Sequence, residues 1–186
     1  MKHFAGQYYH IYNRGTNRQK IFACNENYLF LLRRIVKYSS SSAVTFIAYC
    51  LMPNHYHFLL RAESDDSLSP FVQRLFNSYT QAYNRQQRRS GTLFEGRAKS
   101  KLVDKAKYIL HLARYIHLNP VKKGLVKHPR DWPYSNYREW VGTRSGKLYD
   151  PEFVVMFFPN PEDYERFVLS EISPDVESQL TKYYLE

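Results

Sequence analysis

The spacing of hydrophobic and polar positions changes several times along the chain, and each change predicts an element. Gln7 to Arg14 (QYYHIYNR) is short and aromatic-rich and ends at Gly15, which predicts a first strand. Asn25 can cap a helix, and Tyr28, Leu31, Leu32, Ile35 and Val36 then recur at helical spacing until the serine run Ser39 to Ser42. Ala43 to Met52 (AVTFIAYCLM) is apolar with β-branched and aromatic residues. Pro53-Asn54 is a turn signal, and His55 to Arg61 returns as a third strand, so the two segments predict a hairpin. Ser69-Pro70 opens a second helix, with Phe71, Val72, Leu75, Phe76, Tyr79 and Tyr83 as its buried stripe. Its exposed end carries Arg85, Arg88 and Arg89 before Gly91. Leu93 to Val103 predicts a fourth strand, bent at Gly96. Asp104 caps a third helix running to about Leu118, where Pro120 enforces an end because the residue before a proline avoids the helical region.

The predicted order is β-α-β-β-α-β followed by a helix. This is an α+β, ferredoxin-like plan: an antiparallel sheet with helices packed on one face. Its other face is open for a substrate unless another element covers it. After about Leu125 the pattern changes to RDWPYSNYREW and then to an acidic tail, in which Asn160 to Asp163 reads as a cap and first helical turn. The expected organisation is a core over residues 1–125 and a C-terminal extension over 126–186 packed on it.

Charge sharpens this division. The chain carries +10 overall. From Arg144 onward four basic residues face nine acidic ones, a net −5, so the preceding 143 residues carry +15. A core that basic expects a polyanion, most simply nucleic acid. The high aromatic content, 17% of residues, would supply stacking surfaces for unpaired bases. No apolar run approaches the roughly 18 residues that a membrane helix needs. The N-terminus is too polar for a signal peptide. The two cysteines, Cys24 and Cys50, form neither a disulfide framework nor a zinc-site spacing. These features together predict a reduced, cytoplasmic, nucleoid-associated protein with no membrane partner.

The candidate chemistry lies in MPNHYHFLL, Met52 to Leu60. Side chains alternate along a strand, so His55 and His57 share a face while Tyr56 takes the other. Two same-face imidazoles can hold one metal ion, or they can simply sit on the solvated side of a sheet. In the third helix Tyr115 and Asn119 are one turn apart and share a face, offering a phenol and an amide oxygen. The alternative reading there is a core tyrosine and a C-terminal cap, with Asn119 at the helix end and free to turn outward.

Five blocks then carry a resemblance: YHIYNRG (Tyr9 to Gly15), LMPNHYHFLL (Leu51 to Leu60), LFEGRAKS (Leu93 to Ser100), YIHLNPVKKGL (Tyr115 to Leu125) and WPYSNY (Trp132 to Tyr137). In this order they resemble the single-tyrosine HUH transposases, in which U is a bulky hydrophobic residue, and more closely their REP-associated tyrosine transposase branch. Tyr56 fills the U position, a mild departure because it is amphipathic. The resemblance covers roughly the first 140 residues and implies the HUH nuclease fold. It matches His55 and His57 to the metal-binding pair, Asn119 to a polar residue helping to bind the metal, and Tyr115 to the nucleophile. Among the rival phenols, Tyr79 and Tyr83 fall on the buried stripe of another helix, and Tyr108 lies on roughly the same helix face as Tyr115.

The resemblance implies a metal-dependent endonuclease and strand-transferase acting through a 5′-phosphotyrosine. Its substrate is single-stranded DNA folded as a hairpin, such as a REP-like repeat, with a short unpaired tag beside it. The cofactor is a divalent ion, Mg²⁺ or Mn²⁺, and a monomer is favoured over a dimer. Arg14, Arg18, Lys20, Arg97, Lys99 and Lys101 lie near strand ends and loops, where phosphate contacts are expected. Two other classes compete. A non-catalytic nucleic-acid-binding module has no use for the histidine pair with Tyr115. A metal-dependent hydrolase using bound water needs a carboxylate base, yet only eight acidic residues precede Arg144 and none adjoins the histidines.

Overall fold

The computed structural model describes residues 2–184. Strand β1 (Tyr8–Arg14), helix α1 (Asn25–Ser39), strands β2 (Val44–Met52) and β3 (His55–Ala62), helix α2 (Leu68–Gln86), strand β4 (Lys99–Val103) and helix α3 (Ala106–Lys122) follow in the predicted order. The four strands form one antiparallel sheet in the order β2-β3-β1-β4. The first strand therefore lies inside the sheet, between the hairpin and β4.

Alternation sorts the strand residues onto two cores. Tyr9 and Ile11 of β1, Tyr49 and Leu51 of β2, and Tyr56, Phe58 and Leu60 of β3 pack toward α1 and α2. Tyr56 is fully buried there and stacks on Phe76 at 4.2 Å, so it serves the U position as an apolar ring. Cys50, Met52 and Leu59 point the other way, onto Ile109, Leu112, Ala113 and Ile116 of α3. Helices α1 and α2 share one face as expected, and α3 covers the face that the sequence left open. Burying each of Leu112 and Ile116 completely contributes about 1.5–3 kcal/mol.

Four expected boundaries move. The fourth strand begins at Lys99 rather than Leu93. Before it, Gly96 takes φ +74°, its carbonyl accepts from Asn13 Nδ2, and Glu95 N donates to Arg14 O, so the chain turns back instead of extending the ladder. At the α1 start, Cys24 occupies the cap position in place of Asn25, and the Asn27 side chain accepts from the amides of Ala23 and Cys24. Likewise Lys105, not Asp104, precedes α3. That helix does not stop near Leu118 but runs through Pro120 to Lys122. The proline lacks an amide proton, yet Lys123 N bonds Asn119 O and Leu125 N bonds Pro120 O, so the last turn closes around it.

The extension forms short helices α4 (Tyr137–Trp140), α5 (Pro151–Phe157), α6 (Pro161–Leu169) and α7 (Pro174–Leu180). Trp140, Tyr164, Val168, Val176 and Leu180 enter the α3-side core, which explains why α3 is apolar on more than one face. The preceding segment covers the free edge of β2, a row of backbone groups that needs partners. Leu51 N donates to Tyr134 O at 2.9 Å and Trp132 Nε1 to Leu51 O at 3.0 Å.

Asn136 closes this seam. Its Oδ1 accepts from Tyr49 N at 2.8 Å and from His117 Nε2 at 2.9 Å, and its Nδ2 donates to Ile47 O at 2.9 Å and Leu148 O at 3.0 Å. His117 Nδ1 then accepts from the Tyr164 hydroxyl at 2.6 Å. One amide thus ties β2, α3 and the extension together, and every one of its hydrogen-bonding positions is used.

Two outcomes follow for stability. Asn136→Ala strands several buried groups and is expected to cost at least about 3 kcal/mol, read from urea denaturation against wild type; a loss below about 1 kcal/mol would contradict this account. His117 is fully buried, and burial lowers its pKa from 6.5 to about 4, partly offset by the bond to Asn136. A lowered histidine is protonated first in the unfolded chain. Its stabilisation is therefore complete above pH 6.5 and lost as pH falls from there toward 4. The urea midpoint should drop across that window, and in His117→Gln the drop should be shallower by about one proton, roughly 1.4 kcal/mol per pH unit.

Candidate active site

Strand β3 brings His55 and His57 to the α3 side of the sheet, and α3 brings Tyr115 and Asn119 across to them. Asn119 sits between the imidazoles: His55 Nε2 is 3.1 Å from Oδ1, and His57 Nε2 is 3.4 Å from Nδ2. The Tyr115 ring meets His57 edge-on, with centroids 5.5 Å apart. The pair is not on a solvated face, because His55 is 7% exposed, His57 0%, Asn119 3% and Tyr115 8%. Nor is Asn119 free to turn outward. The continuation of α3 past Pro120 keeps it inside the helix, aimed at the sheet.

Burial sets the charge state. It lowers His55 to about 4, the bond to Asn119 partly opposing and the Lys123 and Arg14 charges adding to the fall. It lowers His57 well below the ordinary imidazole value, with His10, His55 and Lys123 contributing. Both imidazoles are neutral near pH 7, the form that offers lone pairs to a metal.

The donor set fits a divalent ion. His55 Nδ1 lies 2.7 Å from Asn54 Oδ1, which places the ring proton on Nδ1 and leaves Nε2 bare. With the amide as placed, His57 Nε2 can accept from Asn119 Nδ2, while the bare His55 Nε2 faces Asn119 Oδ1 at 3.1 Å, two lone pairs that one cation could take. Ligands about 2.1 Å from one ion and near a right angle to each other stand about 3 Å apart. No group of three His, Cys, Asp or Glu side chains that could hold a metal occurs among the described residues; the side-chain oxygen beside the histidine pair is Asn119 Oδ1.

The rival phenols are engaged elsewhere. The Tyr79 hydroxyl donates to Ile21 O, that of Tyr83 to Lys20 O, and that of Tyr108 to Gln179 Oε1 in α7. Four neighbours of the site were not identified from sequence. His10 and Tyr12 lie beside His57 on β1, and Lys122 stands 5.6 Å from the centre of the Tyr115 ring. Tyr184 stacks on Tyr115 at 4.0 Å, so the end of the extension lies over the candidate nucleophile. Alternation along YHIYNRG puts His10 and Tyr12 on one face, but only the pairing of Tyr12 with His57 shows that it is the histidine face.

The expected phosphate contacts fall along the β1 end and the β4 edge. Arg14 pairs with Glu95, Arg18 and Lys20 are exposed in the loop after β1, and Arg97 is exposed in the turn before β4. Lys99 and Lys101 pair with Tyr12 and His10 and so share the histidine face. Lys101 already donates to Lys182 O and lies 5.4 Å from the centre of the Tyr12 ring, so the extension holds it. No helix among the described residues is long and apolar enough to cross a membrane.

Comparison with known proteins gives the family and the fold. A Haemophilus influenzae protein, provisionally named a REP-associated tyrosine transposase, is 31% identical over 105 residues, covering 51% of this chain and 60% of that protein. The REP-associated tyrosine transposase of Escherichia coli is 25% identical over 138 residues, covering 74% of this chain and 79% of that one. A solved structure of a REP-associated tyrosine transposase bound to a REP hairpin shares the fold, with a TM-score of 0.66 at 23% identity, over 81% of this chain and 91% of that one. The family model for IS200-like transposases matches residues 3–119, which include both histidines, Tyr115 and Asn119. The resemblance read from the sequence blocks holds, and the chain belongs to the IS200-like transposase family.

Proposed function

We propose that this chain is a transposase that nicks and rejoins single-stranded DNA at hairpin-forming repeats through a covalent link to Tyr115. The observation that carries this reading is the meeting of Tyr115 with His57 beside the His55–Asn119 pair, phenol and metal donors converging from two different elements. The names of the relatives support the hairpin class of substrate, and the +15 balance of the first 143 residues supports a polyanion.

His55, His57 and Asn119 would hold a divalent cation, Mg²⁺ or Mn²⁺. Such an ion supplies charge neutralisation at a non-bridging phosphate oxygen. The imidazoles suit Mn²⁺ better than Mg²⁺, which prefers oxygen. The Tyr115 oxygen attacks the phosphorus, forming a phosphotyrosine bond and breaking the bond to the 3′ oxygen, which leaves with a proton as a 3′ hydroxyl. A phenol has an ordinary pKa of about 10 and is a weak nucleophile until it loses its proton. Lys122 Nζ lies 5.6 Å from the centre of its ring. The phosphotyrosine preserves the energy of the broken bond, so a second 3′ hydroxyl can reverse the step and join strands without ATP. The Tyr184 ring has to leave the Tyr115 face before DNA reaches it.

The decisive experiment mixes a labelled hairpin with each variant in Mn²⁺ and resolves products on a denaturing gel. Tyr115→Phe should lose the covalent adduct and cleavage by at least about 1000-fold while still binding the hairpin, and EDTA should do the same to wild type. Tyr108→Phe should keep both products. Cleavage by Tyr115→Phe would instead indicate attack by water, and a dead Tyr108→Phe beside an active Tyr115→Phe would move the nucleophile.

A further inference from the structure

His10 is a buried imidazole that the chemistry above does not use. It lies on β1, diagonal to His57 across the β1–β3 pairing, and is fully buried. Its Nε2 is 3.0 Å from His57 Nδ1, the two rings are nearly parallel with centroids 5.2 Å apart, and the Tyr12 ring stacks on it with centroids 4.7 Å apart. This is the nitrogen of His57 that faces away from Asn119. His10 therefore lies behind the proposed ligand and cannot share the ion.

One of the two facing nitrogens has to carry the proton. His57 Nε2 needs a bare lone pair, whether it accepts from the Asn119 amide or binds a cation, so the His57 proton belongs on Nδ1. His57 Nδ1–H then donates to His10 Nε2, and the His10 proton sits on Nδ1. That atom is buried without a partner at hydrogen-bonding distance, and the Tyr183 backbone favours a proton on this ring.

We propose that His10 is a positioning residue, whose Nε2 accepts the proton of His57 Nδ1 and so fixes the tautomer and ring plane in which His57 Nε2 is presented to the metal. This rests on the metal reading proposed above. A metal-binding histidine usually donates its second ring N–H to a carboxylate, carbonyl or water; here a second imidazole takes that place inside a dry, carboxylate-poor core.

The test titrates Mn²⁺ into the full-length, metal-free protein without DNA and follows free Mn²⁺ by electron paramagnetic resonance. His10→Phe keeps a ring but removes the acceptor and should weaken binding by about 10- to 100-fold. His10→Gln places an amide oxygen near the Nε2 position and should stay less than about tenfold below wild type. Wild-type affinity in a folded His10→Phe, or equal losses in both variants, would overturn the proposal. Nitrogen-15 spectra of the unsubstituted protein give a second reading that survives a misfolded variant. They should show the His57 proton on Nδ1 and His10 Nε2 bare, and a His57 proton on Nε2 would refute the assignment. Failure of the metal reading looks different: the His55→Ala/His57→Ala double variant would bind Mn²⁺ as tightly as wild type, and that result would sink both.

Discussion

Everything at the site depends on how α3 lies across the sheet. The helix has no covalent tie to β3 nearby, yet Asn119 has to fall between two imidazoles and Tyr115 has to reach His57. Apolar burial of Leu112, Ala113 and Ile116 against Cys50, Met52 and Leu59 supplies the attraction but little registry, because hydrophobic contact is non-directional. Registry comes from the polar contacts. His117, one turn below Ala113 on the helix, is locked to Asn136, which is itself bonded to the β2 backbone. The extension is thus part of the device that aims the helix, and not an addition to a finished core.

The site concentrates buried polar groups in a way that the rest of the core avoids. His10, His57, Asn119 and His55 form a continuous line along the histidine face of the sheet, from β1 to the α3 seam. Burial keeps the imidazoles neutral, which suits metal ligands and excludes their use as cations toward DNA. The positive charge lies elsewhere, on the exposed loops and on the β4 edge. Chemistry and attraction are separated by only the width of one or two strands: a low-dielectric interior with lone pairs, and a solvated rim with ammonium and guanidinium groups.

The acidic C-terminal extension meets this rim. Lys101 donates to the Lys182 carbonyl, Lys122 lies 3.9 Å from Glu177, and Tyr184 covers Tyr115. Each contact uses a group that a DNA strand would also want. The pair between Lys122 and Glu177 is exposed and worth at most about 1 kcal/mol, so the stacked rings and the α7 side chains Val176 and Leu180 do more to hold this segment down.

The sequence by itself determined the order of elements, the antiparallel plan, and the residues that share a face. These follow from local periodicity: a period of two puts His55 with His57, and a helical turn puts Tyr115 with Asn119. It also carried the family blocks, which the IS200-like family model matches through residue 119. Only the tertiary structure decided which strand stands beside which, and therefore that His10 and Tyr12 back His57, since register between distant strands is set by cores that no local window contains. The same holds for α3 running through Pro120. A proline weakens a helix locally, but burial of Asn119 and Pro120 and the closing bonds from Lys123 and Leu125 keep the turn intact. Placement of Tyr184 over Tyr115 was likewise invisible in the chain, because it depends on the path of four short helices around α3, and that path is chosen by packing and by one fully bonded asparagine.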